Sequence, residues 1–153
     1  MKQMKIVSAV AFSTLIIVLA FVVFSFNKNV NQKQSIQFIE QDWNTAITKA
    51  KENNKLVFVD IYAEWCGPCK MLKNQTFTDK AVADFFNANF VNVSVDAEKG
   101  IGTKLSTDFA VSAYPTLVFA DASGKPVLYT VGFMKPKELM AFAQAAIKKA
   151  SKK

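Results

Sequence analysis

The sequence predicts an α/β domain, a central mixed β-sheet flanked by helices, with one transmembrane helix at the N-terminus. Three observations carry this. Segments with apolar residues at helical spacing alternate with short β-branched and aromatic runs, as when helices are laid on a sheet. A hairpin turn between the last two such runs makes the sheet mixed rather than all parallel. An uncharged run of 21 residues, Ile6 to Phe26, stands apart at the start.

That run is long enough to cross a hydrocarbon core, which takes about 20 helical residues. Lys2, Lys5 and the amino terminus precede it, and Lys28 and Lys33 follow. The amino group favours the N-terminus staying inside, which puts the domain on the outer side. A secretory signal peptide has a shorter apolar core, about 7–15 residues, and Val23-Phe24-Ser25 is a poor cleavage site. No cysteine follows to carry a lipid. Residues 1–26 are thus a membrane anchor or signal segment, 27–35 ("NKNVNQKQS") a polar tether, and 36–153 the globular domain. The alternative to a retained anchor is secretion after cleavage.

Within the domain, Ile36 to Ile39 can form a short first strand. Trp43, Ala46, Ile47 and Ala50 make one helical stripe, with Asp42 as N-cap and Asn53-Asn54 as terminator. Leu56 to Ala63 ("LVFVDIYA") does not alternate, so it reads as a central strand covered on both faces. Helical sequence follows from about Cys66 to Asn74, then a break at "TFTD". A second helix carries the stripe Val82, Phe85 and Phe86. Phe90 to Val95 is a strand with Val91, Val93 and Val95 on one side. A short helix covers about Thr103 to Phe109. "AYPTLVFAD" leads into a strand, and "ASGK" turns it back into Val127 to Val131, with Gly124 supplying positive φ. Gly132 ends that strand. The last helix has Pro136 in its first turn and the stripe Leu139, Phe142, Ala143, Ala146 and Ile147.

The 19 basic residues are all lysine, set against 12 acids and no histidine. Eight lysines sit at the two ends of the chain, so the basic balance marks no nucleic-acid face. Without arginine there is also no bidentate reader of phosphate or guanine.

The two cysteines, Cys66 and Cys69, are the chain's whole complement. A structural zinc site needs four Cys or His ligands, and this pair supplies two; no metal site is expected. As a staple the pair would close a loop too short to remove much chain entropy. A reacting pair fits better. It follows a central strand and opens a helix, where backbone N–H groups favour a thiolate. Cys66, expected to be accessible, would attack a substrate disulfide, and Cys69 would resolve the mixed disulfide. Pro68 suits the first helical turn, and Gly67 lets a partner backbone approach. Asp60 lies in the apolar strand, six residues before Cys66. Desolvation should raise its pKa and fit it to take the Cys69 proton. Base rates alone make the Tyr114–Pro115 bond trans.

Together "WCGPCK", "DIYAEWC", "YPTLVF" and "VGF" resemble the thioredoxin family over most of residues 36 to 149. The stretch "WCGPCKMLKNQTFTDKAV" is similar to the C-terminal thioredoxin-like domain of membrane thiol–disulfide interchange reductases. The resemblance implies a thioredoxin-like fold and gives Cys66 the attacking role, Cys69 the resolving role and Asp60 the place of the buried aspartate. It makes Pro115 a cis-proline against the disulfide, with the Tyr114 backbone pairing to a substrate strand. It assigns Trp65, Gly67, Pro68, Gly132 and Phe133 to an apolar rim that receives partners. Asn92 stands where many members carry a lysine near that aspartate, and Tyr114 replaces a small aliphatic residue.

The Gly-Pro pair between the cysteines resembles reducing members, so the activity implied is reduction of protein disulfides with no cofactor beyond the Cys66–Cys69 disulfide. An oxidase or isomerase, or a client-binding module without turnover, are the rival readings. Expected partners are disulfide-containing client proteins and an upstream membrane dithiol reductase. The expected location is a bacterial inner membrane, with the domain on the periplasmic side.

Overall fold

A computed structural model describes residues 35–152 of the chain. The expected membrane segment at 1–26, and all but the last residue of the tether, lie outside the described residues. Among the described residues no helix is long and apolar enough to cross a membrane.

Five strands form one sheet in the order β1-β3-β2-β4-β5. They are β1 (Ile39–Glu40), β2 (Leu56–Tyr62), β3 (Phe90–Asp96), β4 (Thr116–Ala120) and β5 (Pro126–Val131). β2 and β1 each run parallel to β3, whereas β4 is antiparallel to both β2 and β5. The helices are α1 (Trp43–Asn53), α2 (Gly67–Met71), α3 (Lys80–Asn89), α4 (Gly100–Asp108) and α5 (Pro136–Ala150). The mixed α/β sandwich expected from the sequence is the one found.

β2 is buried on both faces, which is why its sequence does not alternate. Val57, Val59 and Ile61 join Val91, Val93, Val95, Ala46, Ala50 and Leu105 in one core cluster. Phe58 joins Phe77, Phe86, Phe119, Leu139 and Ala143 in the other. Its ring lies 4.7 Å from that of Phe86 and 5.1 Å from that of Phe119, within the range of favourable aromatic pairs.

Local signals end the elements as the sequence suggests. Asp42 Oδ1 accepts the Thr45 N–H at 2.9 Å and caps α1, which stops at Asn54 with φ 50°. Asp79 Oδ1 caps α3 from the Val82 N–H at 3.0 Å. Asp121 Oδ1 accepts from the Ser123 and Lys125 N–H groups and shapes the β4–β5 turn, where Gly124 has φ 86°.

Three boundaries differ from expectation. The first strand is Ile39–Glu40, not Ile36 to Ile39. Ile36 is buried and its N–H donates to the Phe77 carbonyl at 2.8 Å, so it ties down the α2–α3 connection instead of joining the ladder. The helix after the cysteines does not stop at Asn74 but continues as a π-helical turn, Leu72–Thr76. Thr76 anchors that turn by donating its hydroxyl to the Met134 carbonyl at 2.6 Å. α4 begins at Gly100, which takes φ 50° at the helix entry, rather than near Thr103.

Candidate active site

Cys66 and Cys69 form a disulfide, S–S 2.02 Å, just beyond the end of β2. Cys66 is the N-cap of α2, with an extended backbone, and its Sγ accepts the Cys69 N–H at 3.1 Å. Pro68 occupies the first turn, where its missing N–H has no intrahelical partner to lose. The donor aimed at Cys66 Sγ, and the aligned peptide dipoles behind it, favour a thiolate there when the disulfide opens.

The openly accessible sulfur expected at position 66 is not found. Cys66 is 3% exposed and Cys69 7%. Tyr62 and Tyr114 pack against the pair, and the Tyr114 ring meets Trp65 edge-on at 5.9 Å. Tyrosine at 114 supplies cover that a small aliphatic residue would not. The cover is shallow. The cysteines form a cluster apart from both main cores, Trp65 is 67% exposed, and a Cβ at Gly67 would meet nothing within 4 Å.

Two contacts tie the cysteine loop to the segment after β3. The Trp65 indole N–H donates to Glu98 Oε1 at 2.9 Å. Lys99 pairs with Glu64 and, at 3.2 Å, with Asp96. The exposed Lys99–Glu64 pair contributes little stability, so its effect is on loop geometry. Glu98 and Lys99 had no signal in the sequence, because nothing local reports which loop Trp65 reaches.

The Tyr114–Pro115 bond is cis, as the family resemblance implies and against the base rate. The Pro115 carbonyl accepts the Gly132 N–H at 2.8 Å, so the cis turn and the end of β5 are held together, with Gly132 at φ 99°. Trp65, Gly67, Pro68 and Tyr114 therefore surround the disulfide and Gly132 adjoins Pro115. Phe133, half-buried, packs on the Phe58 core cluster.

Asp60 is 7% exposed on the Phe58 face of β2. Its Oδ2 accepts the Ser94 hydroxyl at 3.1 Å, and its buried Oδ1 has no hydrogen-bond partner. Burial, the largest cause, pushes its carboxyl from the ordinary 3.8 up to about 7. The Ser94 hydrogen bond opposes this, the Glu40 charge adds to it, and the Lys73 charge opposes it. Asp60 and Cys69 line one cavity of about 280 Å³.

Asn92, expected near this aspartate, is not its neighbour. It pairs with Phe58, and its amide faces the Gln37 carbonyl and Asn87 Oδ1, each at 3.4 Å. Ser94 holds the place instead. The alternation Asn92-Ser94-Asp96 opposite the three valines could have revealed it. Lys73 could not be found that way, because the π turn sets its direction. Among the described residues no group of three or more His, Cys, Asp or Glu side chains could hold a metal ion.

A cysteine pair at a strand–helix junction, packed against the tyrosine of a cis-proline turn and sharing a cavity with a buried carboxyl, defines a thiol–disulfide exchange protein. The thioredoxin-like domain profile matches residues 43–147, and the chain belongs to that family. Thioredoxin H4 of Arabidopsis thaliana is 39% identical over 93 residues, covering 61% of this chain and 73% of that protein. The thiol:disulfide interchange protein DsbD of Tatumella citrea is 34% identical over 95 residues, covering 60% of this chain but only 16% of that protein. A solution structure from Bacteroides thetaiotaomicron, provisionally described as a disulphide-isomerase, is 41% identical with TM-score 0.68, covering 76% of this chain and 96% of that one. The DsbD C-terminal domain of Neisseria meningitidis, 22% identical with TM-score 0.57 over 67% of this chain and 90% of that one, shares the fold. This chain is a thioredoxin-like thiol–disulfide oxidoreductase whose redox group is its own cysteine pair, with no external cofactor.

Proposed function

We propose that the chain is a membrane-tethered protein-disulfide reductase on the periplasmic side of a bacterial inner membrane. The observation that carries the exchange chemistry is Cys66 Sγ at the N-cap of α2, with Cys69 one turn on and Asp60 lining the same cavity as Cys69. The direction is supported by the Gly67-Pro68 pair, which resembles reducing members, and by similarity to thioredoxins and to DsbD.

The cycle starts from the dithiol. The Cys66 thiolate attacks a client disulfide; a mixed disulfide forms and the client's other sulfur leaves as a thiolate, which takes a proton from water. Asp60 accepts the Cys69 proton. The Cys69 thiolate attacks Cys66 Sγ, the bond to the client breaks, and the second client thiolate leaves. Two electrons pass to the client, and the pair ends as the disulfide. An upstream membrane dithiol reductase must then return two electrons. Because Tyr114 packs on the cysteine cluster, the client displaces that ring when it docks between the Trp65–Pro68 loop and the Pro115–Gly132 turn.

The reduction potential against glutathione tests the direction. A reductase should lie near the roughly −270 mV of thioredoxin; a value near −180 mV, typical of protein disulfide isomerase, or above would overturn it. The isomerase reading draws specific support from the 41% identity to the Bacteroides protein. It predicts reactivation of a scrambled-disulfide substrate without added reductant. Membrane fractionation tests the tether.

A further inference from the structure

The sheet register places three polar residues in one row. Glu40 on β1 pairs with Ser94 on β3, and Ser94 pairs with Asp60 on β2. Residues paired across strands share a face, so the row runs from the edge strand to the aspartate that shares a cavity with Cys69. With neighbouring strands roughly 4.8 Å apart, it spans on the order of 10 Å. Glu40, at the outer end, is exposed; Ser94 and Asp60 are buried.

All three line the cavity that also reaches Cys69. Its volume of about 280 Å³ accommodates several waters at roughly 30 Å³ each. Asp60 Oδ1, buried without a partner, is the acceptor available to such a water. Ser94 donates to Oδ2 of the ionised carboxylate, and once Asp60 is protonated the hydroxyl can turn to accept from it and donate to the outer side. The charged and titratable groups facing this space are Glu40 from β1, Asp60 and Tyr62 from β2, Glu64 from the loop before Cys66, Cys69 and Lys70 from α2, and Lys73 from the π turn. Lys73 acts on both Glu40 and Asp60, favouring their ionised forms, while burial of Asp60 and the partial desolvation of the otherwise exposed Glu40 raise both carboxyls. Two coupled carboxyls under one lysine can hold a proton at either end of the row.

We propose that Glu40, Ser94 and Asp60 form a proton passage that delivers the Cys69 proton from Asp60 to solvent at the sheet edge. It rests on Asp60 being the base for Cys69. Asp60 takes that proton, and before the disulfide closes the neutral carboxyl hands it through water and the Ser94 hydroxyl to the Glu40 carboxylate, which releases it to bulk and leaves Cys69 as the thiolate that attacks. No electrons move in this step. Glu40 is a positioning residue, acting on the sulfur only through Asp60.

The test is rapid mixing of the reduced full-length chain with insulin, quenched in acid, from pH 5.5 to 9. Accumulated mixed disulfide reports the resolving step separately from the first attack. Asp60→Asn should slow resolution at least about tenfold, as loss of a general base does. Glu40→Gln should slow it about threefold, the effect of a unit charge on the order of 10 Å away, and move the pH midpoint down. Ser94→Ala, losing a hydrogen bond to the carboxylate, should move the midpoint up. Glu40→Gln keeps the shape of an exposed side chain, and a through-space charge effect would shift the midpoints too. The passage is therefore read from rescue: added imidazole, a small proton carrier, should restore the Glu40→Gln resolving rate, and no restoration would overturn the passage. If Asp60→Asn slows resolution but Glu40→Gln follows the unaltered chain at every pH, the passage is wrong and the base assignment stands. If Asp60→Asn changes nothing, both fall.

Discussion

Replacing Asp60 by Asn should stabilise the fold at alkaline pH and change it little in acid. In the folded chain the carboxyl stays protonated up to about 7, against an ordinary 3.8. Below 3.8 both states carry the proton and the group contributes no pH dependence. Between 3.8 and about 7 the unfolded chain releases its proton while the folded chain holds it, so stability falls as pH rises. Above that window the loss is complete. At 1.36 kcal/mol per pH unit it amounts to about 4 kcal/mol. Asparagine keeps the size and can still accept from Ser94, but never ionises. Urea unfolding at pH 4 and pH 8.5 measures the difference. With m-values of about 1–3 kcal/mol/M, the midpoints of the two proteins should separate by over about 1 M at pH 8.5 and nearly coincide at pH 4. An equal gap at both pH values, or an asparagine protein less stable at pH 8.5, would refute the reasoning that burial holds this carboxyl neutral.

Other outcomes follow from the same geometry. Tyr114→Ala should uncover Cys66 and speed reduction of the disulfide by dithiothreitol up to about tenfold, the equivalent of the 0.5–1.5 kcal/mol in an edge-on aromatic pair; stopped-flow tryptophan fluorescence reads it. Gly102→Ala should lower the melting temperature. A Cβ there would lie 1.9 Å from the Asp96 carbonyl oxygen, which is backbone, and forced overpacking costs about 1–3 kcal/mol or more.

The fold was legible where one rule governs one segment. The stripe from Trp43, the run from Leu56 and the turn at Gly124 each follow from periodicity or φ preference alone, and each lies where those rules put it. Boundaries failed where tertiary contacts decide. Ile36 bonds to Phe77 across the fold, and Thr76 bonds to Met134, 58 positions away, which holds a π turn no local pattern announces. At the site, the cysteine spacing and the lone carboxylate in an apolar strand stood out in the chain itself. The partners of that carboxylate did not, because Glu40, Ser94 and Lys73 meet it only through sheet register and helix direction. The cover over Cys66 was missed for a related reason: spacing reports that a sulfur opens a helix, but not which ring from the cis-proline turn lies on it.

The exchange chemistry itself is tested most directly by mass spectrometry of full-length Cys69→Ala, reduced and mixed with insulin. The account predicts a covalent adduct through Cys66 that dithiothreitol releases, with none formed by Cys66→Ala. No adduct, or one that forms equally well through Cys69 in the Cys66→Ala protein, would contradict it.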